Sequence, residues 1–133
     1  MIAGSPLVLP SPAEIPARMG DFARWLAAAA PGPETAFEAN ARLVTIHPFA
    51  DGNGRTARLF MNLILLKAGY PPVVVGPEHR EGYIDALQAL QLRGDPEPYR
   101  RSMAVRLNAG LDHYLEIAAK ELEPGPGEAG ESV

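Results

Sequence analysis

The sequence contains no cysteine. Disulfides, thiolate metal sites and a thiol nucleophile are therefore excluded, while the redox state of the compartment stays open. No apolar run approaches the ~20 residues that a membrane span needs, and residues 1 to 10 lack the charged start and extended apolar stretch of a signal peptide. Positive charge is not in excess either. The 12 Lys and Arg face 16 Asp and Glu, a formal net charge of −4, which gives no support to nucleic acid or an anionic membrane as a partner. The expectation is a soluble protein, cytoplasmic by default. Of the 133 residues, 47% are apolar and 21% charged. That describes one small domain, able to bury about two-thirds of its unfolded surface and to stand on a hydrophobic core alone.

Against this ordinary background one stretch is dense in chemistry. His47-Pro48-Phe49-Ala50-Asp51-Gly52-Asn53-Gly54-Arg55-Thr56-Ala57-Arg58 carries an imidazole, a carboxylate, two glycines and two arginines. Gly52, Asn53 and Gly54 can take positive φ and bring bare backbone N–H groups to a point, and the apolar run Leu59 to Leu66 behind them reads as helix. A glycine turn feeding a helix N-terminus is an anion site. Arg55 and Arg58, three apart, share a face of the first helical turn and can close on phosphates held there. Cations at a helix N-terminus oppose its dipole by about 0.3–1 kcal/mol each, a cost that an anion between them removes. Asp51 is the only carboxylate of the loop, and Mg²⁺ arriving with a phosphate ligand needs one or two. His47 is the one candidate base, and an imidazole exchanges its proton near neutral pH. Taken singly, each residue has an ordinary reading: a His before Pro packs or caps, an Asp before Gly makes a turn, an Arg pair is solvated. Their coincidence at this spacing is what points to a site.

Along the rest of the chain, Pro6-Leu7-Val8-Leu9-Pro10 is an extended apolar run between prolines that suits an edge strand, one whose backbone could pair with an incoming peptide. Ser11-Pro12-Ala13-Glu14 resembles a capping box complicated by Pro16: either a 3-10 turn precedes a helix starting at Pro16, or the start is kinked. Ile15, Met19, Phe22, Leu26 and Ala29 then recur at helical spacing to about Ala30 as a core stripe. Pro31-Gly32-Pro33 breaks the chain. A second helix from Glu34 or Thr35 carries Phe37, Ala41 and Val44 on one side and stops at His47, because Pro48 disfavours helical geometry before it. Arg55 to Lys67 is apolar almost all round, which predicts a buried central helix that holds the loop rigid; Asn62 within it is assigned to backbone bonding. Tyr83, Ala86, Leu87 and Leu90 mark a fourth helix ending at Gly94, with Tyr83 a core aromatic whose hydroxyl reaches the rim. After Asp95-Pro96, Met103, Leu107, Leu111, Tyr114, Ala118 and Leu122 line a closing helix. His79 and His113 read as surface residues, and Pro124 to Val133 as a flexible acidic tail. A rival reading makes strands of residues 43–46 and 72–75 around a phosphate loop. The loop, however, matches neither G-x-x-x-x-G-K-(S/T) nor G-x-G-x-x-G, and the helical period runs unbroken from Phe37 to Ile46.

His47 to Arg58 resembles, at every motif position, the HPFx(D/E)GN(G/K)RxxR signature of the Fic family, and the flanking Leu43-Val44-Thr45-Ile46 and Arg58 to Leu65 are similar to that family too. The resemblance implies an all-α Fic fold, a helical bundle around a buried central helix with a short β-hairpin flap. Residues 1–122 would form the core, with 1–10 as the flap segment and the family's N-terminal helices missing, and 123–133 the tail. It also implies transfer of AMP from Mg-ATP to a hydroxyl side chain of a target protein. In that scheme His47 is the catalytic base and Asp51 holds Mg²⁺. Gly52, Asn53, Gly54, Arg55 and Arg58 bind the nucleotide, Arg58 reaching the γ-phosphate, and Tyr83 lies at the adenine. Phe49 is the apolar anchor fixing the loop in the core, and Leu7 and Val8 belong to the target-docking flap.

Two departures from the family accompany the match. The adenine region typically has a Tyr-Tyr pair where this chain has Tyr83-Ile84, one residue farther than usual from Gly94-Asp95. The inhibitory (S/T)xxxE(G/N) helix has no counterpart, since Thr35 is followed by Glu38 one place too early and Glu81-Gly82 has Pro77 where Ser or Thr should stand. Restraint would then come in trans, from a removed segment, or not at all. The implied partners are a protein substrate and, as open options, an inhibitory partner and a second copy in a homodimer; neither nucleic acid nor membrane is expected. The alternatives are a Fic-type enzyme with another nucleotide or phospho donor, one that removes AMP, or a non-catalytic peptide-binding scaffold.

Overall fold

The computed structural model describes residues 9–122. Five helices follow one another: α1 (Ile15–Ala28), α2 (Pro33–Ile46), α3 (Asn53–Lys67), α4 (Arg80–Arg93) and α5 (Glu97–Leu122), with 3-10 turns at Pro12–Glu14 and Pro77–His79. No strand occurs among the described residues, so Leu43 to Ile46 is helix and the α/β reading falls. Leu7 and Val8, like the tail from 123 onward, lie outside the described residues.

Local chemistry sets the helix ends. Ser11 does not cap α1. Its hydroxyl donates to the Glu14 carboxylate (3.1 Å) while the Glu14 N–H bonds the Ser11 carbonyl (2.9 Å), so Pro12–Glu14 winds as a 3-10 turn and the α-helix begins at Ile15. Pro16 then sits in the first turn, where its missing N–H costs nothing. Gly94 ends α4 in the left-handed conformation (φ 65°), and the N–H groups of Gly94 and Asp95 return to the Leu90 and Ala89 carbonyls. Asp95 then accepts the Glu97 N–H at 3.2 Å and opens α5.

The core has two parts that share α2 and α3. In one, Phe37 and Ala41 of α2 and Met61 and Leu65 of α3 pack with Tyr83 and Leu87 of α4 and with Tyr99, Met103 and Leu107 of α5. In the other, Phe22 of α1 meets Ala39, Leu43 and Ile46 of α2 and Ala57 of α3. Ala39 and Ala57 are both fully buried, and their lack of bulk lets α2 and α3 lie close. The expectation of an α3 buried all round needs correcting. Ala57, Met61 and Leu65 face inward, but Leu59, Leu63 and Leu66 are 63%, 56% and 54% exposed. They lie on the opposite face, which no helix among the described residues covers, and α2 carries more of the buried side chains. The closing helix also departs from its stripe. Tyr99, Met103 and Leu107 are buried and Leu111 partly so, whereas Tyr114 and Leu122 are exposed, because α5 is 26 residues long and α4, its partner, is 14.

Asn62 bonds backbone as expected, though not locally. Its amide pairs with both groups of Val73, accepting the N–H at 2.8 Å and donating to the carbonyl at 3.1 Å, and so ties the segment after α3 back to the helix.

Candidate active site

The loop begins where α2 ends. His47 takes the left-handed conformation (φ 56°, ψ 59°) while its N–H still bonds the Leu43 carbonyl at 3.0 Å. It is the one non-glycine residue with positive φ among the described residues. Glycine usually holds such a place, since a Cβ there costs about 1–2 kcal/mol. Strain of this kind gathers where a side chain must be aimed. The Nδ1 atom of His47 is buried without a hydrogen-bond partner among the described residues, which leaves Nε2 as the atom able to meet a hydroxyl.

At the other end of the loop Gly52 is also left-handed (φ 75°) and no side chain caps α3. Thr56 is the first residue of that helix whose N–H finds a helical carbonyl, that of Gly52 at 2.9 Å, so the N–H groups before it point out of the helix unpaired. The two arginines fold back over this turn. A methyl group added at Gly54 would lie 3.1 Å from Arg58 Nη1, and one at Gly52 would lie 3.5 Å from Arg55 Nη2. Neither arginine forms an ion pair among the described residues. Two unneutralised cations over an uncapped helix start make a strongly anion-seeking corner. Asp51 is exposed, with one carboxylate oxygen accepting the Gly52 N–H at 2.8 Å and the other free of hydrogen bonds among the described residues.

Residues 3–65 match the model of the Fic/DOC family. The chain belongs to that family. Among curated relatives it is 41% identical over 123 residues to Protein adenylyltransferase Fic of Aedes aegypti, a match covering 90% of this chain and 24% of the relative. The protein of the same name from Nematostella vectensis is 40% identical over 112 residues, covering 81% and 26%. This chain thus spans about a quarter of the length of the curated relatives it matches. Of solved structures, Fic-1 of C. elegans (residues 134–508) superposes with a TM-score of 0.74 at 35% identity, over 84% of this chain and 34% of that one. A Fic domain containing signaling protein from Bacteroides thetaiotaomicron gives 0.71 at 29%, over 84% and 50%.

At this Fic site three residues do other work than their sequence positions suggested. Phe49 is 53% exposed and is not the anchor. The loop is held instead by its backbone: Asn53, itself buried, accepts the Phe49 N–H at 2.9 Å and donates to the Phe49 carbonyl at 2.7 Å, so the Phe49 ring need not be buried to fix the turn. It borders an apolar cavity of about 160 Å³ with Pro48, Phe22 and Phe60. With its amide committed, Asn53 can meet a ligand only through its backbone. Tyr83 is 5% exposed and its hydroxyl accepts from Asn40 Nδ2 at 2.9 Å, so its ring is not open for a nucleobase to lie on. It reaches the site through Arg58, whose guanidinium lies over the ring 5.9 Å from its centre. His79 pairs with Glu78 and His113 is exposed, both away from the loop.

Asn40 and Tyr99 went unread in the sequence. Asn40 lies on the apolar side of α2 between Phe37 and Ala41, and a polar residue in that register is the available signal. No group of three or more His, Cys, Asp or Glu side chains gathers among the described residues. Asp51 alone cannot build a protein-only metal site, but one carboxylate with a free oxygen suits an Mg²⁺ whose other ligands are phosphates and water.

Proposed function

We propose that this Fic chain is the catalytic core of a protein adenylyltransferase, moving AMP from ATP to a hydroxyl side chain of a target protein. The observation that carries the reading is the convergence, over one loop, of a strained His47 with an uncapped helix start and two unpaired guanidiniums. The name shared by the curated relatives supports it.

In the reaction the target hydroxyl oxygen bonds to the α-phosphorus, the bond from that phosphorus to the β-phosphate bridging oxygen breaks, and pyrophosphate leaves. The hydroxyl proton goes to His47 Nε2. The N–H groups of Asn53 and Gly54 hold the phosphates, and Arg55 and Arg58 neutralise charge on the departing end. Asp51 would hold Mg²⁺, which when bound supplies further charge neutralisation at the phosphates.

The test is transfer of label from α-labelled ATP, with γ-labelled ATP as control, to a host lysate and to the chain itself. Label from the α position that falls by about 10²–10⁴-fold in His47→Ala is the expected result. ATP binding with no α-label transfer would overturn the reading. A second reading, transfer from another nucleotide donor, is favoured by the burial of Tyr83, which leaves the half-exposed Ile84 as the surface member of the pair. Competition among the four nucleoside triphosphates decides between them.

A further inference from the structure

Arg58 is held by very little. It lies in no ion pair among the described residues, its guanidinium is close to Gly54, and its one side-chain platform is the face of Tyr83. Whatever fixes that ring therefore fixes the charge.

The ring is fixed from behind. Asn40 is wholly buried on α2, and both its N–H bonds are spent on tyrosine hydroxyls, Tyr83 at 2.9 Å and Tyr99 at 3.0 Å. Tyr99 in turn donates its proton to the Phe37 carbonyl at 2.5 Å, which clamps the cluster to the α2 backbone. The Asn40 carbonyl oxygen is left buried with no partner among the described residues. A buried unpaired acceptor is a stability cost that an aliphatic side chain would avoid, so packing alone does not account for an asparagine here. Its two donors, aimed at two hydroxyls, do.

We propose that Asn40 is a positioning residue for nucleotide binding: by holding the Tyr83 hydroxyl it sets the ring on which the Arg58 guanidinium rests, and with it the place of the charge offered to the outer phosphates. The part that concerns ATP rests on the function proposed above. The part that concerns Arg58 does not. Asn40 touches no reacting atom and works through Tyr83 and Arg58 alone. Asn40 and Tyr83 are buried and bonded to each other, Arg58 rests on the ring, and the three stand on α2, α4 and α3.

The test uses the full chain with Asn40→Leu, which keeps bulk and removes the donors, and Tyr83→Phe, which keeps the ring and removes the hydroxyl. The Arg58 Nε–H resonance, assigned through Arg58→Lys, should show a ring-current displacement in the wild type that shrinks in both variants. KM for ATP should rise about 3- to 10-fold, with any fall in kcat no larger than Arg58→Ala itself produces. In an Arg58→Ala background neither substitution should raise KM further. A general loosening of the fold would lower the active fraction and leave KM alone. Should Asn40→Leu not fold, Tyr83→Phe carries the same readings. An unchanged Arg58 resonance in the folded variants overturns the inference, and so do additive effects in the Arg58→Ala background. If the wild type transfers no AMP but the resonance moves as stated, the proposed function falls and the positioning role stands.

Discussion

Asn53 grips the peptide of Phe49 at both of its polar groups, as acceptor at 2.9 Å and donor at 2.7 Å. One buried amide thereby closes a loop whose own side chain at Phe49 is turned to solvent. Asn53→Ala strands a backbone N–H and a carbonyl, and should cost about 1–3 kcal/mol in urea unfolding. Phe49→Ala should cost well under half as much. Equal losses would return the anchoring role to the aromatic ring.

His47 occupies a conformation made for glycine. Both His47→Gly and His47→Ala remove the base, so both should lower AMP transfer by the same factor, about 10²–10⁴-fold. They should differ in stability, with the glycine variant about 1 kcal/mol the more stable by chemical denaturation. No difference between the two would mean that the left-handed turn stores no strain.

Gly54 separates stability from binding. Alanine there improves helix propensity by up to about 1 kcal/mol, and its methyl meets only the mobile end of Arg58, at 3.1 Å. Gly54→Ala should therefore melt no lower than wild type while its KM for ATP rises, since the guanidinium must swing away. A variant with unchanged KM would show that Arg58 does not rest over the turn when nucleotide binds.

The Tyr99 hydroxyl is pushed above the usual tyrosine range by burial, against the pull of the Asn40 N–H and with Tyr83 adding to the rise. An unfolded tyrosine loses its proton near pH ~10, whereas the folded one keeps it. The unfolded state is then the one that gains as pH climbs past that point, so the stabilisation is complete below pH ~10 and declines above it, by at most about 1.4 kcal/mol per pH unit. Tyr99→Phe should be about 1 kcal/mol less stable than wild type at pH 7, and the gap should close by pH 11. A gap of constant size across that range would contradict the assignment.

Much of the fold was legible because its punctuation is local. Pro31-Gly32-Pro33 and Gly94-Asp95 mark helix ends through backbone chemistry that neighbouring residues decide, and the strand-like Leu43 to Ile46 yielded to the helical period around it. The HPFxDGNGRxxR stretch placed the site for the same reason, its parts lying within a dozen residues. What escaped was decided at a distance. Tyr83 and Tyr99 find Asn40 across 43 and 59 residues of chain, and no local pattern says which aromatic an asparagine will meet. Likewise the apolar surround of α3 does not reveal that only one side has neighbours, because periodicity reports what a face could bury and not what is there to bury it.

The division of the core into two parts that share α2 and α3 bears on how the protein fails when heated. Residues 47–52 are the short bend of a hairpin whose arms are gripped on one flank by α1 and on the other by α4 and α5. A bend so held has no private way to melt. The catalytic geometry should persist to the edge of unfolding and vanish with it in a single transition, with the bonded amides of His47 and Phe49 exchanging their hydrogens no faster than those of the helical arms.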